Sequence, residues 1–263
     1  MSAGVAAIRP QAVAGLFYPR DPARLRHEVS TLLDAAPAAR FAPKAVIAPH
    51  AGYAYSGPVA AAAFTAVAPA SRIVLIGPSH YAHFRGIAVP TYAAFATPLG
   101  PVPVDKAALD PLAALPFVTI SDAPHAPPEH ALEVELPFLQ RRLENFTIVP
   151  LLVGQADPAD VAAALAVLWG GPETLVVVSS DLSHFHPYPS AQRLDAATAS
   201  AIEQGDWACL GPENACGYLP IAGLLIEAAH HGLVARRCAL CNSGDSGGGR
   251  DRVVGYGAWI LQN

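Results

Sequence analysis

Charge is what this chain has least of. Asp, Glu, Lys and Arg make up 14% of its 263 residues, against about 25% in an average soluble chain. Combined with 52% hydrophobic residues, that excludes an intrinsically disordered protein and predicts a thick, well-covered core. A run of basic residues is also missing, and the net charge is -5, so no electrostatic footprint for nucleic acid is present. No apolar stretch approaches the length of about 20 residues that spans a bilayer; the longest, such as "PVAAAAFTAVAPA", are interrupted by proline. The opening "MSAGVAAIRPQAVAG" has no basic segment followed by a long apolar core, so it does not read as a signal peptide. Four cysteines in a chain this long do not suggest a disulfide framework. The expected setting is the cytoplasm, with each thiol packed, metal-bound or catalytic. The expected partner is a small-molecule substrate, with no nucleic acid and no membrane; protein partners and a homo-oligomer stay open. Repeats, low-complexity tails and convincing linkers are lacking too, which predicts a single domain over residues 1–263.

What is there is an alternation. Four short apolar runs, 44–49, 72–78, 146–154 and 174–180, are hydrophobic at nearly every position and bounded by turn residues. They predict strands buried on both faces, as in a parallel sheet. Helical stretches separate them. One opens with Asp21 as N-cap and Pro22 at the first position, another with Asp157 and Pro158. Two more are expected to begin near Ser56 to Pro58 and near Ser190. In "EHALEVELPFLQRRL", Pro137 must kink a helix or mark a late start. The C-terminal "RVVGYGAWILQ" reads as a strand paired in a terminal hairpin with "LVARRCALC" across the Gly-rich "NSGDSGGG". The fold class is therefore α/β, with a largely parallel central sheet and helices on both faces.

In open α/β sheets, ligands bind beyond the carboxyl ends of the strands. Three of those ends deliver a histidine within a few residues: "APHAGYAYSGP" gives His50, "GPSHYAHF" gives His80, and "SSDLSHFHPY" gives His184 with Asp181 beside it. A lone histidine in such a place is more often a hydrogen-bonded loop residue. Three at equivalent ends of strands sharing one sheet edge converge on one point and read as a functional site. Tyr55, Ser56 and Ser79 add short polar contacts for a substrate.

Cys216 precedes an apparent helix, where the dipole and free N–H groups favour a thiolate suited to a soft metal or to nucleophilic attack; the alternative is a small packed hydrophobe. Cys209, Cys238 and Cys241 read as core packing. His130, near Glu129 and Glu133, is either an acid/base group behind the site or a helix cap. His83, His125, His186, His230 and His231 are expected in exposed loops or at a helix end. "SGDSGGG" contains the string found around the nucleophile of trypsin-like proteases, but an α/β chain gives it the wrong context, so Ser246→Ala should leave any activity intact.

"GLFYP", "APHAGYAYSGP", "GPSHY", "EHALEVELPFLQ", "SSDLSHF", "CG" and "NSGD" occur in this order from about residue 14 to the C-terminal strand. In that arrangement the chain resembles the Memo family, also called AmmeMemoRadiSam system protein B. The resemblance implies a fold similar to class III extradiol ring-cleaving dioxygenases and a pocket carried by His50, His80, Asp181, His184 and Cys216. It implies a metal on His50, His80 and Cys216, with Fe(II) first and Cu or Zn as alternatives. A thiolate in place of the carboxylate that those enzymes use would soften the donor set, so their activity does not transfer automatically.

Three functions compete. One is a metal-dependent oxidoreductase acting on a small, phenolic type of substrate, with His184 as acid/base oriented by Asp181 and with His130 assisting. The second is a non-catalytic metal- or peptide-binding protein using the same pocket. The third is Cys–His hydrolysis, with Cys216 as nucleophile and His184 or His80 as base.

Overall fold

The computed structural model describes residues 7–37 and 42–263. Residues 1–6, part of the segment read above for a leader, lie outside the described residues. Nine strands join one sheet: β1 (Ala45–Ala48), β2 (Arg72–Pro78), β3 (Ile87–Val89), β4 (Val118–Ile120), β5 (Thr147–Val153), β6 (Thr174–Ser179), β7 (His184–His186), β8 (Val234–Asn242) and β9 (Val253–Gln262). Their order is β7-β9-β1-β6-β2-β5-β3-β4, and β8 pairs with β9 as well. The four apolar runs of the sequence are the central strands β1, β6, β2 and β5. They are mutually parallel and buried at almost every position, which only a sheet covered on both faces allows.

Outside that core the sheet is mixed rather than largely parallel. β9 runs antiparallel to β1, β3 antiparallel to β5, and β8 antiparallel to β9 from Val234↔Gln262 to Asn242↔Gly255. A smaller sheet has Ala94–Phe95 in the middle, parallel to Ile8–Arg9 and antiparallel to Val102–Pro103.

The helices are α1 (Pro22–Ala35), α2 (Tyr53–Phe64), α3 (Leu136–Arg142), α4 (Pro158–Leu168), α5 (Tyr188–Gln204) and α6 (Tyr218–His230), beside shorter helical turns. They lie on both sides of the sheet. α1, α2 and α3 pack together and α2 rests on β8 and β9, while α4 packs on α6, which rests on β2 and β6. Asp21 and Asp157 cap α1 and α4, accepting N–H bonds from Arg24 (2.8 Å) and Ala159 (2.9 Å), each cap being worth about 1 kcal/mol.

Pro137 marks a late start. A short 3-10 turn over Glu133–Glu135 precedes it, and α3 begins at Leu136. α2 instead begins three residues earlier than Ser56, at Tyr53, and contains Pro58. The proline ring deprives the Ala54 carbonyl of its helical donor, and Ala54 is exposed, so water can replace it. α5 starts at Tyr188, near Ser190 as the sequence predicts.

Two expectations about single residues are corrected. Cys209 is exposed, not packed, and its sulfur lies 3.0 Å from an Asp206 carboxylate oxygen. His125 is 1% exposed, not a surface-loop residue; burial pushes its pKa down to about 4, and Nε2 bonds the Ala88 carbonyl at 3.0 Å.

β9 approaches α5 so closely that a Cβ on Gly255 would lie 2.1 Å from an oxygen of the buried Asp195 carboxylate. Asp195 also accepts the Ser183 N–H at 3.1 Å and cannot swing away freely. Gly255→Ala is therefore expected to cost about 1–3 kcal/mol through overpacking, read as a lower urea midpoint at unchanged slope. An unchanged midpoint would show that the carboxylate yields.

Candidate metal centre

Strands β1, β6 and β2 are neighbours, so the loops leaving their carboxyl ends emerge side by side. Register fixes this: Ala48 pairs with Ser179, and Ile76 with Val178. His50 and His80 each follow their strand by two residues and flank Asp181, which follows β6 at the same interval. His130 arrives from a distant segment that crosses the end of β6, where the Ser179 hydroxyl donates to the Ala131 carbonyl at 2.6 Å. The ring centroids of His50 and His80 are 5.1 Å apart; His130 stacks on His80 at 4.9 Å and stands 5.8 Å from His50.

One candidate ligand nitrogen from each of these three rings lies within 4.8 Å of the other two. Ligand bonds of about 2.0–2.1 Å hold two nitrogens at most about 4.2 Å apart, so a pair near the 4.8 Å limit would have to close by a few tenths of an ångström around one ion. In every ring Nδ1 faces an oxygen: Ser179 Oγ at 2.8 Å for His50, Glu129 Oε1 at 3.0 Å for His80, and the Pro128 carbonyl at 3.4 Å for His130. An Nδ1–H held this way leaves Nε2 with a lone pair to offer, the usual arrangement of metal-binding imidazoles.

Glu129 organises two of the rings. Its buried carboxylate accepts the backbone N–H groups of His80 (2.6 Å), His130 (2.7 Å) and Ala131 (2.9 Å) besides the His80 ring. Burial alone would raise its pKa, but those bonds outweigh burial and hold it down to about 2. His50 is held well below the usual histidine range by burial and then by the neighbouring imidazoles. His130 and His184 shift the same way, burial again leading. Burial thus favours the neutral form of His50, His130 and His184, the form in which an imidazole can serve as a ligand.

The Cys216 sulfur lies 3.4 Å from His50 Nε2, so its imidazole neighbour is His50 rather than His80 or His184. The thiol is not the activated thiolate expected at a helix start. Burial, reinforced by Asp181, pushes its pKa up to about 12, against the lowering effect of hydrogen bonds to the Asp181 and Gly217 backbone and the Ser180 hydroxyl. Asp181 is pushed up to about 7, chiefly by burial. It accepts the His50 backbone N–H at 2.9 Å, and among the described residues no hydrogen bond joins it to His184.

A cavity of ≈ 310 Å³ collects His50, His80, His130, Asp181 and His184, with Phe17, Tyr81 and Tyr256 as aromatic walls. Tyr55 and Ser79 do not line it. Tyr55 is 44% exposed on the first turn of α2. Ser79 donates to the Ala82 carbonyl at 2.9 Å and faces a neighbouring groove of ≈ 620 Å³ that Cys216 also lines.

The family model described as Memo-like protein matches residues 9–260. This chain belongs to the Memo family. It is 36% identical to a MEMO1 family protein of Methanothermobacter thermautotrophicus, over 95% of this chain and 98% of the relative. It is 32% identical to one of Aquifex aeolicus and 34% identical to one of Sulfolobus acidocaldarius, each over 95% of this chain and 97% of the relative.

In this Memo protein, sequence reasoning missed the support behind the rings. Arg9, 2% exposed, donates through Nε to the His125 carbonyl at 2.6 Å, through Nη2 to the Glu129 carbonyl, and pairs with Glu133 at 2.5 Å. Glu133 also accepts from Tyr18 Oη (2.5 Å) and from the N–H groups of Ala12 (2.7 Å) and Val13 (3.0 Å). The segment around "GLFYP" is thereby tied to the one carrying Glu129 and His130, and Phe17 packs edge-on to His130 at 4.8 Å. The signal for this was the pair of acidic residues inside the otherwise apolar "EVELPF".

Proposed function

We propose that this Memo protein is a metal-dependent oxidoreductase with a fold related to the class III extradiol dioxygenases, acting on a small phenolic molecule. The observation that carries the reading is the set of three imidazoles, each with one nitrogen close to the other two and with Nδ1 facing an oxygen, lining a cavity walled by aromatics, with a thiol 3.4 Å from His50 Nε2. His50 and His80 are the ligands common to every arrangement considered, with Cys216 as sulfur donor and His130 facing the same point. Fe(II) is the metal proposed, with Cu and Zn as the alternatives; imidazole nitrogen suits all three, and the sulfur softens the set toward Cu and Zn.

The metal would supply Lewis-acid and redox chemistry toward substrate and O₂. Phe17, Tyr81 and Tyr256 orient a flat ring by stacking and edge contacts. The cavity sits at the small end of the range of about 300–1,000 Å³ typical of ligand sites, which limits the substrate to a compact molecule. His184, whose pKa burial lowers, accepts the phenolic proton on a ring nitrogen. A raised thiol pKa argues against Cys216 as a nucleophile at neutral pH.

Anaerobic reconstitution with Fe(II), followed by O₂ uptake with a panel of catechols, tests this. One iron per chain and O₂ consumption diminished in His184→Ala is the expected result. Full iron loading with no uptake by any catechol would leave the non-catalytic metal-binding reading in its place.

The sulfur is tested by pH. The thiol carries its proton through pH 7–9, because its pKa is pushed up to about 12. Coordination must expel that proton, so affinity should rise about tenfold per pH unit in this range. Cys216→Ala should flatten the slope. Calorimetry in buffers of different ionisation enthalpy counts the proton directly, and an equal count in both proteins would assign the metal to the three imidazoles alone.

A further inference from the structure

The Ser179 hydroxyl is the meeting point of three buried polar groups. Its oxygen lies 2.8 Å from His50 Nδ1, 2.6 Å from the Ala131 carbonyl oxygen and 2.7 Å from Glu135 Oε1. Ser179 and Glu135 are both fully buried. A hydroxyl has one hydrogen to give and two lone pairs to fill. The Ala131 carbonyl can only accept, so at 2.6 Å it must receive the hydroxyl hydrogen; any other direction would set two oxygens lone pair to lone pair in a buried site. The other two neighbours must then both donate. His50 does so through Nδ1–H, and Glu135 can do so only as a carboxylic acid.

We infer that Glu135 is held as a neutral carboxylic acid donating its proton to Ser179, and that it is a positioning residue fixing His50 with Nδ1–H inward and Nε2 open to the metal site. The surroundings agree. Among the described residues no Arg, Lys or His pairs with Glu135. Among the described residues its Oε2 has no hydrogen-bond partner, a condition far less costly for the carbonyl oxygen of an acid than for half of a carboxylate. Burial, with Asp181 adding to it, pushes the group well above the carboxylate range. An ionised Glu135 taking the hydroxyl hydrogen would strand the Ala131 carbonyl as well.

The two histidines from the strand ends thus differ. Glu129 backs His80 with a full negative charge, whereas a neutral relay backs His50, so His80 is the more strongly polarised donor. The part of this inference that concerns the metal rests on the proposed role of His50; the part that concerns the proton does not.

Infrared difference spectra of wild type against Glu135→Gln at pH 8 test the proton. A protonated carboxylic carbonyl band, shifted in D₂O and missing from the variant, is expected; no such band overturns the inference. Zn(II) titration tests the positioning. Glutamine supplies an N–H in place of the acid O–H, so Glu135→Gln should bind like wild type, while Glu135→Ala and Ser179→Ala should each weaken binding by about 10–100-fold. Equal loss in Glu135→Gln and Glu135→Ala would mean that a carboxylate is required and would overturn it. If Glu135→Ala does not fold, the Glu135→Gln titration and the infrared band still decide. Wild type that binds no metal at all would defeat the proposed function while the infrared result stood on its own.

Discussion

Arg9→Met is expected to lower the unfolding free energy by about 3–5 kcal/mol, because it strips a buried carboxylate of its cation. Arg9 and Glu133 are 2% and 0% exposed at a separation of 2.5 Å, so no solvent screens the loss. Tyr18 and the amides of Ala12 and Val13 would still hydrogen-bond Glu133, but none neutralises it. Three carbonyls, of Pro10, His125 and Glu129, would lose their guanidinium donors at the same time. Against a total stability of about 5–15 kcal/mol for a typical domain, that is a large share. Urea unfolding followed by circular dichroism measures it. Pairing the change with Glu133→Leu should recover part of the loss, since the charge goes with its partner. A cost below about 1 kcal/mol for Arg9→Met would show that Glu133 takes up a proton or water instead.

The central strands were readable because nothing but burial on two faces explains runs such as "RIVLIGP", and β2 spans 72–78 as the sequence predicts. Strand ends were readable for the same reason, which is why His50, Asp181 and His80 could be placed at one sheet edge. Strand order was not. That β6 lies between β1 and β2 follows from long-range pairing and leaves no local periodicity. His130 shows the limit more sharply. Its segment is joined to the centre by Glu129 and Ser179 through hydrogen bonds between residues about 50 positions apart, and no window of the sequence encodes them.

Tyr55 was misplaced by a three-residue error in the start of α2. That error rotates the helix face, so that Tyr53 is buried and Tyr55 meets solvent. For Cys216 the local rule of a helix N-terminus pointed the other way from the shift that burial imposes, because desolvation is a property of the assembled fold.

His50→Ala and His80→Ala are each expected to leave a folded protein whose metal affinity falls by more than the roughly 10–100-fold lost when an outer hydrogen-bond partner is removed. The fold should survive because the bonds that locate these loops belong to the backbone. Asp181 accepts the His50 N–H, and Glu129 the His80 N–H, whatever side chain follows. What disappears is one of three converging nitrogens, and with His50 also the contact to the Cys216 sulfur. His130→Ala separates the two ligand sets. A loss as deep as that of His50→Ala makes it a full ligand, whereas a loss confined to turnover makes it the acid/base group. Equilibrium dialysis against Fe(II) under anaerobic conditions, with metal counted per chain, gives the comparison. Undiminished metal content in His50→Ala and His80→Ala would place any bound ion away from this sheet edge, and the oxidoreductase reading would go with it.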